Sequence, residues 1–329
     1  MAHDEDRGAQ DQWSPEAWAQ DEFGGVALGD TRRTRRLVST LGKMLDQPGR
    51  SIPELSESWS ECKSFYRLLD ESAMTADVVF EAHREGTLRR ATGSQDKVLL
   101  AVQDTTSLNF TARKKLEGQG PVGKGDKSTG LHLHNTLLVG GETGRIFGLL
   151  GAKIYARDGV KRKKQAPGTR NRERLEDKES YRWVESFELA AESRKELEAV
   201  ATEEDPAQVI SVGDREADIY ELLKEASEHR ERGVGLLVRS QHNRVLCEES
   251  LRLWQHLAQC KEQGRVTITL PRNRGMKQRE AELSIRYDTV ELEVPAHKKK
   301  YLKMEGSVRF SIIELKEQGP KGLHWRLLT

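Results

Sequence analysis

Two apolar runs stand out along the chain. Val98-Leu99-Leu100-Ala101-Val102 leads through Gln103 to Asp104, and Val209-Ile210-Ser211-Val212 leads through Gly213 to Asp214. Each has the length of a buried strand, and each delivers an aspartate at its C-terminal end, where open α/β sheets place ligand sites. The residues before them follow a helical period. Ser14-Pro15-Glu16 reads as N-cap, first-position proline and first-turn acid of a short helix carrying Trp18. A second helix starts at Asp30, and Leu37, Val38, Leu41, Met44 and Leu45 keep its spacing up to Pro48-Gly49. Ser58-Trp59-Ser60-Glu61 matches a capping box ahead of Cys62, Phe65, Tyr66 and Leu69, and Thr75-Ala76-Asp77 opens a helix toward Arg90. Residues 1–12 read as a disordered tail, and roughly the first 90 residues as one small helical domain.

Past Asp104 the pattern turns to strands. Asn135 to Val139 and Ile146 to Leu150 flank a Gly140-Gly141-Glu142-Thr143-Gly144 turn, with His132 and His134 alternating at the start of the hairpin. Glu179-Ser180 opens a long helix whose stripe of Trp183, Phe187, Ala190, Leu197 and Val200 reads as core; it ends at Glu203-Glu204-Asp205-Pro206. Ala217 to Arg232 is helical up to Gly233, and Val234 to Val238 is a strand. From Val266 onward, short alternating runs predict an antiparallel β region, with Lys298-Lys299-Lys300 between two of them.

Composition narrows the chemistry. Charged residues make up 33% of the 329, yet the net charge is only +1, so basic residues matter only where they cluster. They cluster twice. Arg32, Arg33, Arg35 and Arg36 crowd the first turns of the second helix, and Lys161-Arg162-Lys163-Lys164 with Arg170, Arg172 and Arg174 fill a loop. Both suit contact with a nucleic-acid backbone; a solvated face is the alternative. Cys62, Cys247 and Cys260 form no CxxC, which suggests neither a zinc site nor a disulfide framework and fits a reducing cytosol. No apolar run approaches the 18 or so residues of a membrane span, so no membrane partner is expected. Gly123-Lys124-Gly125-Asp126-Lys127 lacks the spacing of a phosphate loop. His132 and His134 match known metal-site spacings weakly. Asp104 and Asp214 either cap the turns after their strands or, with the strands side by side, converge as hard oxygen ligands for Mg²⁺ or Mn²⁺.

These residues resemble the Tn5-like branch of the IS4 family of cut-and-paste DNA transposases. Ala27-Leu28-Gly29-Asp30-Thr31-Arg32-Arg33-Thr34 is similar to that family's DNA-end-binding segment. Asp104-Thr105-Thr106-Ser107-Leu108 and Asp214-Arg215-Glu216-Ala217-Asp218 are similar to the motifs bearing its first two catalytic aspartates. Glu179-Ser180 with Trp183, Val238-Arg239-Ser240 and Trp325-Arg326-Leu327-Leu328-Thr329 follow in the family's order.

The resemblance implies an α+β fold with a helical DNA-end-binding domain over 13–92 and an RNase H-like core over 93–240, built as a mixed sheet with flanking helices. An antiparallel β insertion domain would occupy 241–329. It also implies a Mg²⁺ enzyme, with Mn²⁺ as substitute, whose Asp, Asp and Glu hold two cations for cleavage and strand transfer. Asp104 and Asp214 would be catalytic and metal-holding; Arg215, Arg239 and Trp325 would contact DNA, Trp325 beside a flipped base. Double-stranded DNA, as inverted-repeat ends and target, would be the partner of a homodimer at the bacterial cytoplasmic nucleoid. The family's third acid lies downstream of the Trp-x-Leu-Leu-Thr strand, where this sequence stops, as do its dimerisation helices. A C-terminally truncated transposase is therefore expected, one that binds DNA ends and cleaves little or not at all. The alternatives are a DNA-end-binding regulator and an RNase H-like nuclease completed by Glu216.

Overall fold

A computed structural model describes residues 14–123, 127–157, 175–201, 207–230, 233–248, 251–272, 277–319 and 322–329. The expected tail over 1–12, the loop centre 124–126, the basic loop from 158 to 174 and the acidic helix end at 203–206 lie outside the described residues. The chain divides into two compact units, Met1–Gly93 and Ser94–Thr329. Among the described residues no helix is long and apolar enough to cross a membrane.

Unit one consists of five helices: α1 (Pro15–Phe23), α2 (Thr31–Asp46), α3 (Ile52–Leu55), α4 (Trp59–Leu69) and α5 (Ala76–Thr92). Ser14, Asp30, Ser58 and Thr75 each cap a helix by accepting a backbone N–H in its first turn. The box expected at Ser58 stays open, because the Glu61 carboxylate accepts the Glu57 N–H at 2.8 Å and binds Lys43 at 2.8 Å instead. Ala19, Phe23, Val26, Leu28, Leu37, Val38 and Leu68 form the core. Beneath it, burial raises the pKa of Glu22, but hydrogen bonds from His83 and Arg90 outweigh that and hold it below the ordinary value. Gly86 makes room for this carboxylate, since a Cβ there would sit 2.2 Å from Glu22 Oε2.

Unit two is organised by a ten-stranded sheet. Strand β1 (Val98–Asn109) pairs antiparallel with β3 (Thr129–Gly140), which pairs antiparallel with β4 (Ile146–Tyr155) and with the short β2 (Gly120–Pro121). On its other side β1 pairs parallel with β5 (Gln208–Gly213), and β5 pairs parallel with β6 (Val234–Arg239). The crossovers carry helices α6 (Tyr181–Val200) and α7 (Tyr220–His229). An antiparallel meander extended by two parallel strands makes the mixed sheet expected for the core, inside an α+β protein with a helical N-terminal region.

The sheet does not stop at β6. After α8 (Leu253–Gln259) come β7 (Gly264–Leu270), β8 (Arg279–Glu293), α9 (Ala296–Leu302), β9 (Ser307–Glu317) and β10 (His324–Leu328). The last four strands in the order are antiparallel, as their alternation predicts, and β10 hydrogen-bonds to β6. Residues 241–329 therefore share the sheet with the strands before them. They also share a core: Trp183 and Phe187 of α6 belong to one apolar cluster with Leu253, Leu292, Phe310 and Leu328. The lysine run expected between strands lies on α9, where Lys298 is half-buried and bonds Glu221. Its pKa is lowered by that burial. Helices α3, α8 and α9 are too short to carry a readable period. Residues 217–232, expected as one helix, open with a 3-10 turn (Arg215–Ala217) before α7.

One face of the β1 region lies under α6. Leu99, Ala101 and Gln103 are buried there, level with Gly140, Leu138 and Thr136 of β3. His132 and His134 continue this face, each 2% exposed, so they are core residues and not strand-edge groups. His134 meets the Trp183 ring edge-on at 4.8 Å, while Val200, expected in the same helical stripe, is exposed. Burial, with the nearby charges of Arg182 and Lys153, lowers the His134 pKa to about 4. The unfolded chain therefore takes up a proton between pH 6.5 and 4 that the folded chain refuses. Stability is expected to fall by about 2–3 kcal/mol as pH drops through that window and to level off below it. Denaturant unfolding of His134→Phe should lack this segment of the pH profile; an identical profile would show that the histidine titrates normally.

Candidate active site and nucleic-acid contacts

The β1–β5 register fixes the two aspartates. Val102 is paired with Val212, the last pair of the parallel ladder; two residues on, Asp104 lies within β1 and Asp214 just past the end of β5. Parallel neighbours lie about 4.8 Å apart, so the two chains bring the acids to the same end of the ladder. Asn135 is opposite Asp104 on β3. On the other side Gly213 pairs with Val238, which sets Arg239 next to Asp214, and Arg239 pairs with Leu327 of β10. Asn135, Asp104, Arg239 and Leu327, with Asp214 at the turn after β5, thus make up the row of residues running across the sheet.

Both aspartates are exposed. Asp104 Oδ1 accepts the Thr105 N–H at 2.7 Å, and Asp214 Oδ1 accepts the Glu216 N–H at 2.7 Å as cap of the 3-10 turn. The turn-capping reading of Asp214 is therefore true, and it occupies only one oxygen. Neither Oδ2 has a hydrogen-bond or ion-pair partner among the described residues, so each side chain keeps an oxygen for a further ligand. Gly213 lets the turn fold back onto its strand, since a Cβ there would lie 2.5 Å from the Ala217 Cβ.

Support comes from the opposite face. Gln103 Nε2 donates to Ser211 Oγ at 2.6 Å, a buried bond between β1 and β5 directly before the acids. Arg182 of α6 is 7% exposed and donates to Thr105 Oγ1 at 3.1 Å, to the Glu179 carbonyl at 2.7 Å and to Glu216 Oε2 at 2.9 Å. Thr105 Oγ1 lies 2.8 Å from His134 Nδ1, completing a chain from Glu216 to the histidine. Asp218, from the same motif, is buried; it accepts the Gln241 and His242 N–H groups at 2.6 and 2.8 Å and pairs with Arg244. It anchors the loop after β6. Sequence reading missed Arg182 and Arg244, because a lone arginine in an apolar helix or a loop carries no pattern.

Around the row, Arg215 is exposed and Arg239 half-buried. Burial lowers the Arg239 pKa, and so does the Arg215 charge, while Asp214 raises it; the three side chains therefore share one electrostatic neighbourhood. Trp325 is half-buried, two residues before Leu327, so it shares the face of Arg239. Arg326 points the other way, toward Glu314 at 3.2 Å and over the Trp254 ring at 4.7 Å. A cleft of about 1340 Å³ opens beside Asp218, lined among others by Arg157, Lys178, Arg244, Arg252, Lys298 and Lys299.

In unit one the four arginines of α2 divide. Arg32 binds Asp30 at 3.0 Å, and Arg33 binds Glu71 at 2.7 Å and the Leu28 carbonyl at 3.1 Å. Neither Arg35 nor Arg36 makes a side-chain hydrogen bond or ion pair among the described residues; Arg35 is exposed and Arg36 half-buried. These two are the cations of the helix that stand open to an anionic partner.

Residues 15–74, from α1 through α4, match the family described as Transposase DNA-binding. Among solved structures the chain is similar to a cryo-EM structure of the piggyBac transposase synaptic complex with hairpin DNA, at 9% identity and a TM-score of 0.39. That match covers 98% of this chain and 62% of the other, so the chain spans less than two thirds of its length. The N-terminal unit thus carries a transposase-type DNA-binding domain.

Proposed function

We propose that this chain belongs to a cut-and-paste DNA transposase of the IS4, Tn5-like type, binding inverted-repeat ends through unit one and presenting Asp104 and Asp214 as metal ligands. The observation that supports the reading is the parallel β1–β5 pairing, which ends two residues before Asp104 and Asp214, in a chain whose residues 15–74 match a transposase DNA-binding family. The donor set fits Mg²⁺ or Mn²⁺: hard carboxylate oxygens, Asp104 within β1 and Asp214 just past β5, with one free oxygen on each. Asp104 and Asp214 would hold a divalent cation there, and its chemistry would be Lewis-acid polarisation of a phosphodiester oxygen. Arg215 and Arg239 neutralise the phosphate that approaches the acids, and Trp325 offers an aromatic surface on the same face. The cleft beside Asp218 is lined by Glu179, Asp218, Glu221 and Glu293 as well as by its cations, of which Lys178, Arg252 and Lys299 suit contact with a DNA backbone.

Glu216 is a poor third ligand, because Arg182 holds its carboxylate from the side of α6. That argues against a self-sufficient nuclease. A second reading, a DNA-end-binding regulator, rests on the match of residues 15–74 to a transposase DNA-binding family. Gel-shift and cleavage assays on a labelled duplex carrying the DNA that flanks the coding sequence, with Mg²⁺ or Mn²⁺, separate the two. Nicking abolished by Asp104→Asn and by Asp214→Asn supports the enzyme; binding with no nicking under any metal supports the regulator. Absence of preferential binding to the flanking DNA contradicts both.

Two further outcomes are expected. The double variant Arg35→Ala, Arg36→Ala should reduce the slope of log affinity against log salt by about 2, at roughly 0.9 for each phosphate no longer neutralised. An Arg33→Ala variant should instead lower thermal stability, since it breaks the tie to Glu71. An unchanged salt slope in the double variant would remove α2 from the DNA interface. Gly213→Val should push the turn off β5, weakening Mn²⁺ binding by about tenfold or more with the fold retained, a cost on the scale of removing a ligand's support. Unaltered Mn²⁺ affinity would show that the turn does not position Asp214.

A further inference from the structure

Away from the acid row, one cluster gathers three ligand types. His256 and Cys260 stand four residues apart along α8 and its C-cap, and Asp288 faces them from β8. One ligand atom from each lies within 4.8 Å of the other two. His256 Nε2 and Asp288 Oδ2 are 2.8 Å apart, and the second carboxylate oxygen accepts the Thr289 N–H at 2.8 Å, which fixes the side chain. Cys260 Sγ donates to the His256 carbonyl at 3.4 Å, keeping the sulfur on the helix side that carries the imidazole. The histidine and cysteine are half-buried, the aspartate exposed, so a solvent ion can enter.

We propose that His256, Cys260 and Asp288 form a binding site for a zinc-like divalent cation, separate from the acid row, that fastens α8 to β8. The chemistry of the two sites differs. Thiolate and imidazole select a borderline-soft ion, and three protein ligands leave a fourth, tetrahedral position to water, whereas the acid row offers only hard oxygens. Binding releases the Cys260 proton and exchanges the His256–Asp288 hydrogen bond for two bonds to the metal, so it weakens in acid. Cys–His spacing alone does not reveal the site, because its third ligand arrives from a distant strand.

The consequence falls on α8. Its seven residues are too few to hold a helix unaided. Leu253 and Leu257 seat it in the core, and its Trp254 lies beneath Arg326 of β10, next to the strand that flanks the acid row. A metal at its C-terminal end adds a second attachment and steadies the support of β10.

The test is a Co²⁺ titration of the metal-stripped full chain, followed by thiolate-to-cobalt charge-transfer absorption in the near ultraviolet. One cobalt per chain with that band is expected, displaced by Zn²⁺ but not by Mg²⁺. The band should vanish in Cys260→Ser and persist in Cys247→Ser and in Asp104→Asn, Asp214→Asn. Asp288→Asn should weaken cobalt binding by about tenfold or more while keeping the band's position, on the scale of removing a ligand's support. Should Cys260→Ser fail to fold, thermal unfolding of the native chain serves instead, with Zn²⁺ raising the midpoint at constant Mg²⁺. A folded native chain without a thiolate band, a band that survives Cys260→Ser, or a midpoint indifferent to Zn²⁺ overturns the proposal.

Discussion

The parallel pairing of β1 with β5 is the constraint on which the site depends. A sheet has a side-chain period of two, so a slip of one residue would send Asp214 to the face under α6 and leave Asp104 alone. The pairing is held from the covered face: Leu99 beside Val209, Ala101 beside Ser211, and the Gln103–Ser211 hydrogen bond one residue before Asp104. A buried polar bond of this kind is costly to misplace, because shifting the register leaves both groups unpaired. Core packing and site geometry are therefore one specification, written on opposite faces of the same two strands.

The covered face also carries charge, and its arrangement explains why the acids stay free. Arg182 would be an obvious counter-ion for Asp104 or Asp214, but it lies under the sheet, engaged by Glu216, Thr105 and the Glu179 carbonyl. His134, kept neutral by burial, ends that chain. Each aspartate gives one oxygen to a neighbouring backbone N–H, which aims the carboxylate without neutralising it. The cations brought to the exposed side are Arg215 and Arg239, whose mutual repulsion favours an anion between them.

Much of this was legible in the sequence, for reasons that differ by element. The strands leading to Asp104 and Asp214 announced themselves as apolar runs, although β1 continues past Asp104 to Asn109 where the sequence suggested its end, and the caps at Ser14, Asp30 and Thr75 announced themselves as local chemistry. Arg215, Arg239 and Trp325 were reached through family resemblance; strand register puts Arg239 and Trp325 on one face, and Arg215 opens the turn after Asp214. What stayed hidden depends on tertiary partners. His132 and His134 looked like strand-edge residues because nothing local says that α6 covers them. Arg32 and Arg33 looked equivalent to Arg35 and Arg36 until Asp30 and Glu71 claimed them. The strands after residue 240 have the alternation of a separate β domain, yet β10 returns to pair with β6, a long-range pairing that no window of sequence contains.

The most direct test of the central claim is a double-mutant cycle on Mn²⁺ binding, measured by the decline of the free-ion electron paramagnetic resonance signal, in the native chain, Asp104→Asn, Asp214→Asn and the double variant. If the two carboxylates hold one ion between them, each single change removes most of the affinity and the second removes little more. Additive losses, or an affinity untouched by either change, would mean that Asp104 and Asp214 are separate strand-end residues and would contradict the site described above.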